Sequence, residues 1–187
     1  IINNGTISIG DITVTNSSLI SQTNVTLTGS GTFTVTDAVA LNQNSIQAAI
    51  FTNSATVSMT STGAGALSGD GTWIQGQNST LNYAGSSITV STFDAANSGN
   101  TVNYNRGGNQ TINSTTYHHL TLSNSGTKTA GGYINLHGNW VRSGTATFTP
   151  GANTVELEGT ATQTISAVGG ETFSSLTVNT SPQVTLN

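Results

Sequence analysis

Histidines are the residues of this chain best suited to metal binding, and the sequence has three of them. His118 and His119 are adjacent, so on one strand they are expected to point to opposite faces and not to share a metal ion. His137 is expected to face outward from its strand. A zinc site needs three or four converging ligands. We therefore predict no metal site and no cofactor.

Acidic side chains are the next candidates, for acid–base catalysis. Glu156 and Glu158 flank Leu157, so on a strand both carboxylates lie on one outer face, about 7 Å apart. Glycoside hydrolysis needs two carboxylates on opposite sides of a bond. The cations that such sites also use are few: Arg106, Lys128 and Arg142. We predict that the chain is not an enzyme.

The composition describes a folded, β-rich chain with an unusual surface. Charged residues make up 5% of the 187 residues, against about a quarter in a typical soluble domain. Val, Ile and Thr recur throughout, as in pleated, half-buried strands. Three scattered cations do not form a patch for nucleic acid, and no apolar run approaches the ~18 residues of a membrane span. The scarcity of Lys and Glu favours an extracellular or cell-surface location.

An internal repeat relates residues 100–124 to residues 153–179. The segments 100–104 and 153–157 read Asn-Thr-Val-Asn-Tyr and Asn-Thr-Val-Glu-Leu, and in each copy a Gln-Thr-Ile follows, at 110–112 and at 163–165. The second copy is slightly longer, and the extra residues fall in a turn-like stretch around 167–170. Repeats of strand-like pieces whose turns vary in length are typical of solenoids.

A shorter period lies inside this repeat. Apolar-x-apolar triplets begin at Leu81, Val102 and Leu120 and recur at nearly regular intervals. Strict alternation places one side chain inward and the next outward. We predict an all-β fold, a single-stranded right-handed parallel β-helix (β-solenoid) of roughly 18–21 residues per coil, continuous over residues 1–187. Residues 37–51 break the pattern, with apolar residues near helical spacing that suggest a short helix or a loop.

Residues 99–180 also resemble a known kind of repeat. They carry Gln-Thr-Ile at 110–112, Tyr-His-His-Leu-Thr-Leu at 117–122, Ser-Gly-Thr-Lys-Thr at 125–129, Gly-Asn-Trp at 138–140 and Phe-Thr-Pro-Gly at 148–151. This succession resembles the β-helical repeats of large secreted and cell-surface adhesin-like proteins of Bacteroidota and related bacteria. The resemblance implies an exported stalk or adhesin region.

We therefore expect a non-catalytic structural or adhesive stalk segment. The chain opens on Ile1 and closes on a strand-like sequence with no capping element, so we expect it to continue into a longer protein or to meet neighbouring copies end to end. A filament subunit assembled end to end is the first alternative, and an ice- or carbohydrate-binding solenoid is the second.

Two sets of residues are candidates for a ligand face in that second alternative. Aromatic residues near turns would bind surface glycans, if exposed: Trp73, Tyr133 and Trp140. Paired Thr-x-Thr hydroxyls would form a flat face if they stacked from coil to coil: Thr13, Thr15, Thr26, Thr28, Thr147 and Thr149. The spacings of these threonine pairs along the chain do not follow the coil period, which argues against stacking. Tyr83 and Tyr104 share the inward phase and are predicted to be core residues.

Overall fold

The structure is a computed structural model that describes residues 2–3, 6–8, 13–16, 21–28, 32–36, 39–47, 49–179 and 183–187. Among residues 1–49, it describes the side chains of Phe33, Thr34, Thr36, Ile46 and Ala49.

Short strands make up almost all of the regular structure, because the sequence alternates β-branched or aromatic residues with small polar ones. In chain order the strands are β1 (Ile2–Asn3), β2 (Thr6–Ser8), β3 (Thr13–Asn16), β4 (Ser21–Thr28), β5 (Thr32–Val35), β6 (Val39–Gln47), β7 (Ile50–Asn53), β8 (Thr56–Met59), β9 (Leu67–Gln75), β10 (Thr80–Tyr83), β11 (Ile88–Asp94) and β12 (Thr101–Tyr104). They continue with β13 (Gln110–Ile112), β14 (Thr116–Tyr117), β15 (His119–Leu122), β16 (Thr127–Ala130), β17 (Ile134–Leu136), β18 (Trp140–Arg142), β19 (Thr147–Thr149), β20 (Thr154–Leu157), β21 (Gln163–Ala167), β22 (Ser175–Val178) and β23 (Val184–Leu186).

The strands form three sheets in which all the described pairings are parallel. The main sheet has 16 strands, a second sheet has the order β14-β17-β20-β22, and a third has the order β13-β16-β19. Each strand pairs with the strand that lies one coil further along the chain. The predicted parallel β-solenoid is thus confirmed, with about 7 turns.

Coil length varies more than the sequence suggested. In the main sheet Val102 pairs with Leu81 before it and with Leu120 after it, and both of these coils have the predicted length. The coil that leads from Val57 to Leu81 is longer, and so is the coil from Trp140 to Ile165. The predicted range is therefore too narrow, because extra residues enter at the corners and leave the strand register intact.

Inward side chains of successive coils pile up into one core. The inward residues Leu81, Val102 and Leu120 are fully buried and lie in register on adjacent strands. Tyr83 and Tyr104 are also buried, with ring centroids 6.0 Å apart and an edge-to-face arrangement, so their prediction as core residues is confirmed. Each coil thereby covers the apolar side of the next.

Within the range 37–51, where a helix or loop is expected, the described residues are almost all in strands. Residues Val39–Gln47 form β6, and Ile50–Asn53 form β7. The first part of β6 pairs with β8, whereas Asn44 and Ser45 pair with β9. Ile46 is fully buried.

Candidate functional site

A cleft at one corner of the solenoid contains all three histidines of the chain. The corner joins the second sheet to the main sheet, and successive coils place Tyr117, Leu136 and Leu157 in register at its inner side. The residues that follow these three are His118, His137 and Glu158, which therefore form one column on the outer side. The cleft has a volume of about 500 Å³, and its lining includes Ser98, His118, His119, His137, Glu158 and Thr162. We call it the histidine cleft.

His118 and His119 face the same cleft, contrary to the sequence-based expectation. Strand β14 ends at Tyr117 and β15 begins at His119, so His118 is the one residue that turns the corner. The alternation rule holds within a strand and fails across this break. The two imidazoles meet edge to face, with ring centroids 4.3 Å apart.

Gly138 provides the space that the two imidazoles occupy. A Cβ atom at position 138 would lie 2.6 Å from Nδ1 of His119 and 2.8 Å from Nδ1 of His118. The Asn139 backbone N–H donates to Nδ1 of His119 at 3.0 Å. Because Nδ1 accepts that hydrogen bond, the ring carries its proton on Nε2. Nδ1 of His118 is buried and has no partner within the described part of the chain.

The electrostatics of the cleft favour uncharged rings of His118 and His119 at neutral pH. Burial, together with the nearby rings of His119 and His137, lowers the pKa of His118. Burial also lowers the pKa of His119. The carboxylate of Glu158 is exposed and accepts a hydrogen bond from the Asn135 side chain at 2.5 Å. The cleft therefore presents neutral hydrogen-bonding groups beside one carboxylate.

Metal binding does not follow from this arrangement. Over the described ranges, no group of three or more His, Cys, Asp or Glu side chains is placed to hold a metal ion.

Two of the three aromatic ligand candidates do not reach the surface. Trp73 and Trp140 are fully buried, so they do not meet the condition of exposure that glycan binding requires. Trp73 stacks on Phe51 with centroids 4.4 Å apart. Side-chain oxygens accept from both indole N–H groups, which is why turn-adjacent tryptophans can lie inside. Tyr133 is 43% exposed, and its role as a ligand contact stays a prediction.

Two of the threonine candidates lie on an ordered face. Thr147 pairs with Thr127, and Thr149 pairs with Thr129, so these pairs do stack from coil to coil. Thr129 in turn pairs with Thr111. The threonine face of the third sheet consists of Thr111, Thr127, Thr129, Thr147 and Thr149. The other candidates belong to β3 and β4, and their side chains lie outside the described residues: Thr13, Thr15, Thr26 and Thr28.

Glu171 has a structural role that sequence reasoning missed. Its Oε2 accepts from Nε1 of Trp140 at 3.0 Å and from Nε of Arg142 at 2.9 Å. The Arg142 guanidinium also donates to the carbonyls of Ala146, Val168 and Gly170. The Glu171 and Arg142 side chains are 6% and 10% exposed. No local pattern signals this pair, because 29 residues separate its members.

Lys128 is a second buried cation without a sequence signal. It is fully buried in β16, and its Nζ donates to the carbonyls of Arg106 at 2.7 Å and Gly108 at 3.3 Å. A third bond reaches Oε1 of Gln110 at 3.0 Å. Carbonyl oxygens of the preceding coil thus take the place of water around the ammonium group.

Comparison of the chain with protein-family models, with curated proteins and with solved structures found no match. Within the part of the chain that the structure covers, no helix is long and apolar enough to cross a membrane.

Proposed function

We propose that this chain is a rigid, non-catalytic stalk segment of an extracellular or cell-surface adhesin-type protein. The observation that carries the proposal is the unbroken stacking of its core. Buried residues lie in register from Val57 through Val102 to Trp140. Because each coil is stabilised by its neighbours, such a column resists bending along its whole length.

The lateral surface supports a spacer role, because polar side chains link the coils without charge. Asn82 donates to Ser58 at 3.3 Å, and Asn103 donates to Asn82 at 3.1 Å. Ser123 extends the series by donating to Asn103 at 2.7 Å. Since these bonds involve no ions, their strength depends little on salt. A stalk held together this way keeps its shape in variable surroundings.

The proposal includes the absence of catalysis. It is supported by two cationic side chains that are already bound within the protein. Arg142 is bound to Glu171 and to three backbone carbonyls. Lys128 is buried among carbonyl oxygens. Neither is available to stabilise charge that develops on a substrate.

The adhesin-type assignment and the extracellular location have a separate basis. They rest on the resemblance of residues 99–180 to repeats of large secreted proteins and on the low fraction of charged residues. Surface glycans are the partners that this assignment suggests.

Solution shape and oligomeric state test the stalk proposal. We expect a small-angle scattering curve that matches the one calculated from the stacked solenoid, and a concentration-independent monomer in analytical ultracentrifugation. A scattering curve of a flexible or differently shaped particle would contradict the proposal. Polymers that grow with concentration would favour the alternative of an end-to-end filament, in which exposed strand edges of one copy pair with those of the next.

A second candidate function, ice binding, is favoured by the threonine face. Thr129, Thr147 and Thr149 are exposed, and the Thr147 hydroxyl lies 3.5 Å from that of Thr127. The hydroxyls thus form a two-dimensional array, spaced by the strand separation in one direction and by two residues in the other. Thermal hysteresis that Thr129→Tyr abolishes would support this function, with Thr121→Tyr on the main sheet as the matched control. Hysteresis equal to that of a non-binding protein would reject it.

A further inference from the structure

The shape of the histidine cleft follows from the lengths of the corners that form it. Only His118 separates β14 from β15, whereas residues 137–139 and 158–162 form the next two corners. Residues 96–100 form the corner of the preceding coil, since Ala95 bridges to Tyr117. The tight corner at His118 therefore lies in a depression between longer corners. The depression spans three coil steps, about 14 Å.

These boundaries restrict the length of a ligand. Ser98 lines one end of the depression and Thr160 and Thr162 line the other, so the cleft is walled along the solenoid axis. A long polymer lying parallel to that axis would meet these walls. A short molecule, or the terminal unit of a longer one, fits between them.

The lining groups restrict the chemistry of a ligand. The cleft offers hydroxyls from Ser98, Thr160 and Thr162, imidazoles, and the carboxylate of Glu158. The lining contains no Lys or Arg side chain. An anionic ligand would find no permanent cation and would meet the carboxylate, whereas an apolar ligand would leave the polar groups without partners. Hydroxyl, imidazole and carboxylate groups together donate and accept hydrogen bonds, as the hydroxyl groups of a sugar require.

We propose that the histidine cleft binds a short, uncharged, hydroxyl-rich saccharide. Only the source of that saccharide, a surface glycan, rests on the proposed adhesive function. Glu158 accepts hydrogen bonds from the sugar hydroxyls, and the His119 Nε2–H donates to one of them. The His118 ring lines the same cleft and packs beside the bound sugar.

Nuclear magnetic resonance of the histidine rings tests the proposal. The probes are maltose, cellobiose, lactose, mannobiose and N,N′-diacetylchitobiose at pH 7.5, with digalacturonate as the charged counterpart. At least one neutral disaccharide is expected to shift the ring signals of His118 and His119 in a saturable way. The same disaccharide is then coupled to beads through its reducing end. If a glycan terminus is the source, the beads should retain the protein. If only the free sugar binds, the protein should pass through.

Variants of two neighbouring glutamates supply the matched control. Glu158→Gln is expected to weaken the binding by at least about tenfold, because a hydrogen bond to a charged acceptor is lost. Glu156→Gln alters the neighbouring carboxylate, which is not among the cleft-lining residues, and should leave binding unchanged. Equal losses in both variants, binding of digalacturonate alone, or unchanged ring signals with every sugar would overturn the proposal. Those results leave the stalk proposal intact, because scattering and sedimentation test it without any ligand.

Discussion

Gln110 and Gln163 have three equivalent hydrogen bonds in common although they lie in different sheets. Each side-chain amide donates to two carbonyls 27 and 25 residues earlier, at 2.7 and 2.7 Å for Gln110 and at 2.9 and 2.6 Å for Gln163. Each side-chain carbonyl accepts from the backbone N–H four residues earlier, at 3.4 and 2.8 Å. Both glutamines are buried.

This equivalence explains the internal repeat of the sequence. Gln110 begins β13 of the third sheet, and Gln163 begins β21 of the main sheet. Because the two glutamines start strands of different sheets, the offset between the two copies is not a whole number of coils, and the second copy uses the same local device on another face. The buried glutamine closes the turn before its strand by satisfying backbone groups of that turn and of an earlier coil.

Replacement of this glutamine should be costly. Gln163→Met fills a similar volume but leaves two buried carbonyls and one N–H without their partner, so we expect a loss of about 2–4 kcal/mol in the free energy of unfolding. Urea denaturation measures it. The control is Gln77→Met at an exposed turn, for which the change should stay within about 0.5 kcal/mol. Equal effects of the two substitutions would refute a structural role for Gln163.

Removal of the Glu171 carboxylate should be at least as damaging. Glu171→Ala leaves Arg142 buried without its counterion and Trp140 without its acceptor, and breaking a buried pair in this way costs about 3–5 kcal/mol. Chemical denaturation measures the loss, and the fluorescence of Trp140 reports its exposure to water. Gln77→Ala, at an exposed turn, is the control and should change stability by less than about 0.5 kcal/mol. A Glu171→Ala protein as stable as the parent would show that this ion pair contributes nothing.

Lys128 should make stability depend on alkaline pH. Burial, and to a lesser extent the charge of Arg106, lowers the pKa of Lys128 from 10.5 to about 8. The folded state thus favours the neutral amine, so the unfolded chain binds more protons between pH 8 and 10.5 and stability rises with pH across that window. Below pH 8 the lysine is charged in both states and contributes no slope.

The test of this behaviour compares the parent with Lys128→Met. Urea denaturation at pH 7.5, 8.5 and 9.5 should show the parent gaining stability relative to the variant as pH rises. The difference in unfolding free energy between the parent and the variant cancels the contributions of the buried tyrosines, because their raised pKa values are present in both proteins. Parallel pH profiles would contradict the prediction.

The sequence predicted the fold well because strand alternation is a local property. Leu81 and Val102 were identified as inward residues from their neighbours alone, and their parallel stacking followed from the spacing of the triplets. Coil lengths were harder to predict from the sequence, because loops at the corners take up extra residues without disturbing the register. For that reason the stacking of Thr147 on Thr127 was missed, although both Thr-x-Thr motifs are present in the sequence.

The site was harder to predict because it depends on where strands stop. His118 and His119 obey the alternation rule only if one strand contains both, and nothing in the local sequence marks the break between them. The burial of Trp140 depends on Glu171, 31 residues further along the chain. Interactions between coils at such separations require the exact register, which the repeat pattern defines only approximately.

Acid should loosen the solenoid at the histidine cleft. The folded state lowers the pKa of His118 and of His119 below the ordinary value of 6.5. The unfolded chain therefore binds more protons as pH falls through 6.5, and stability declines below that pH and is constant above it with respect to these two groups. Protonation also places positive charges side by side, because the two rings are in contact.

Urea denaturation between pH 5 and 8, together with the ring signals of both histidines, checks this expectation. The parent should lose stability below pH 6.5, and His118→Gln/His119→Gln should show a shallower decline. Thr160→Ser, at a non-titrating position in the same cleft, is the control and should follow the parent. Histidine signals that titrate at or above pH 6.5 would show that burial does not favour the neutral rings, and the acid sensitivity assigned to this corner would then have no physical cause.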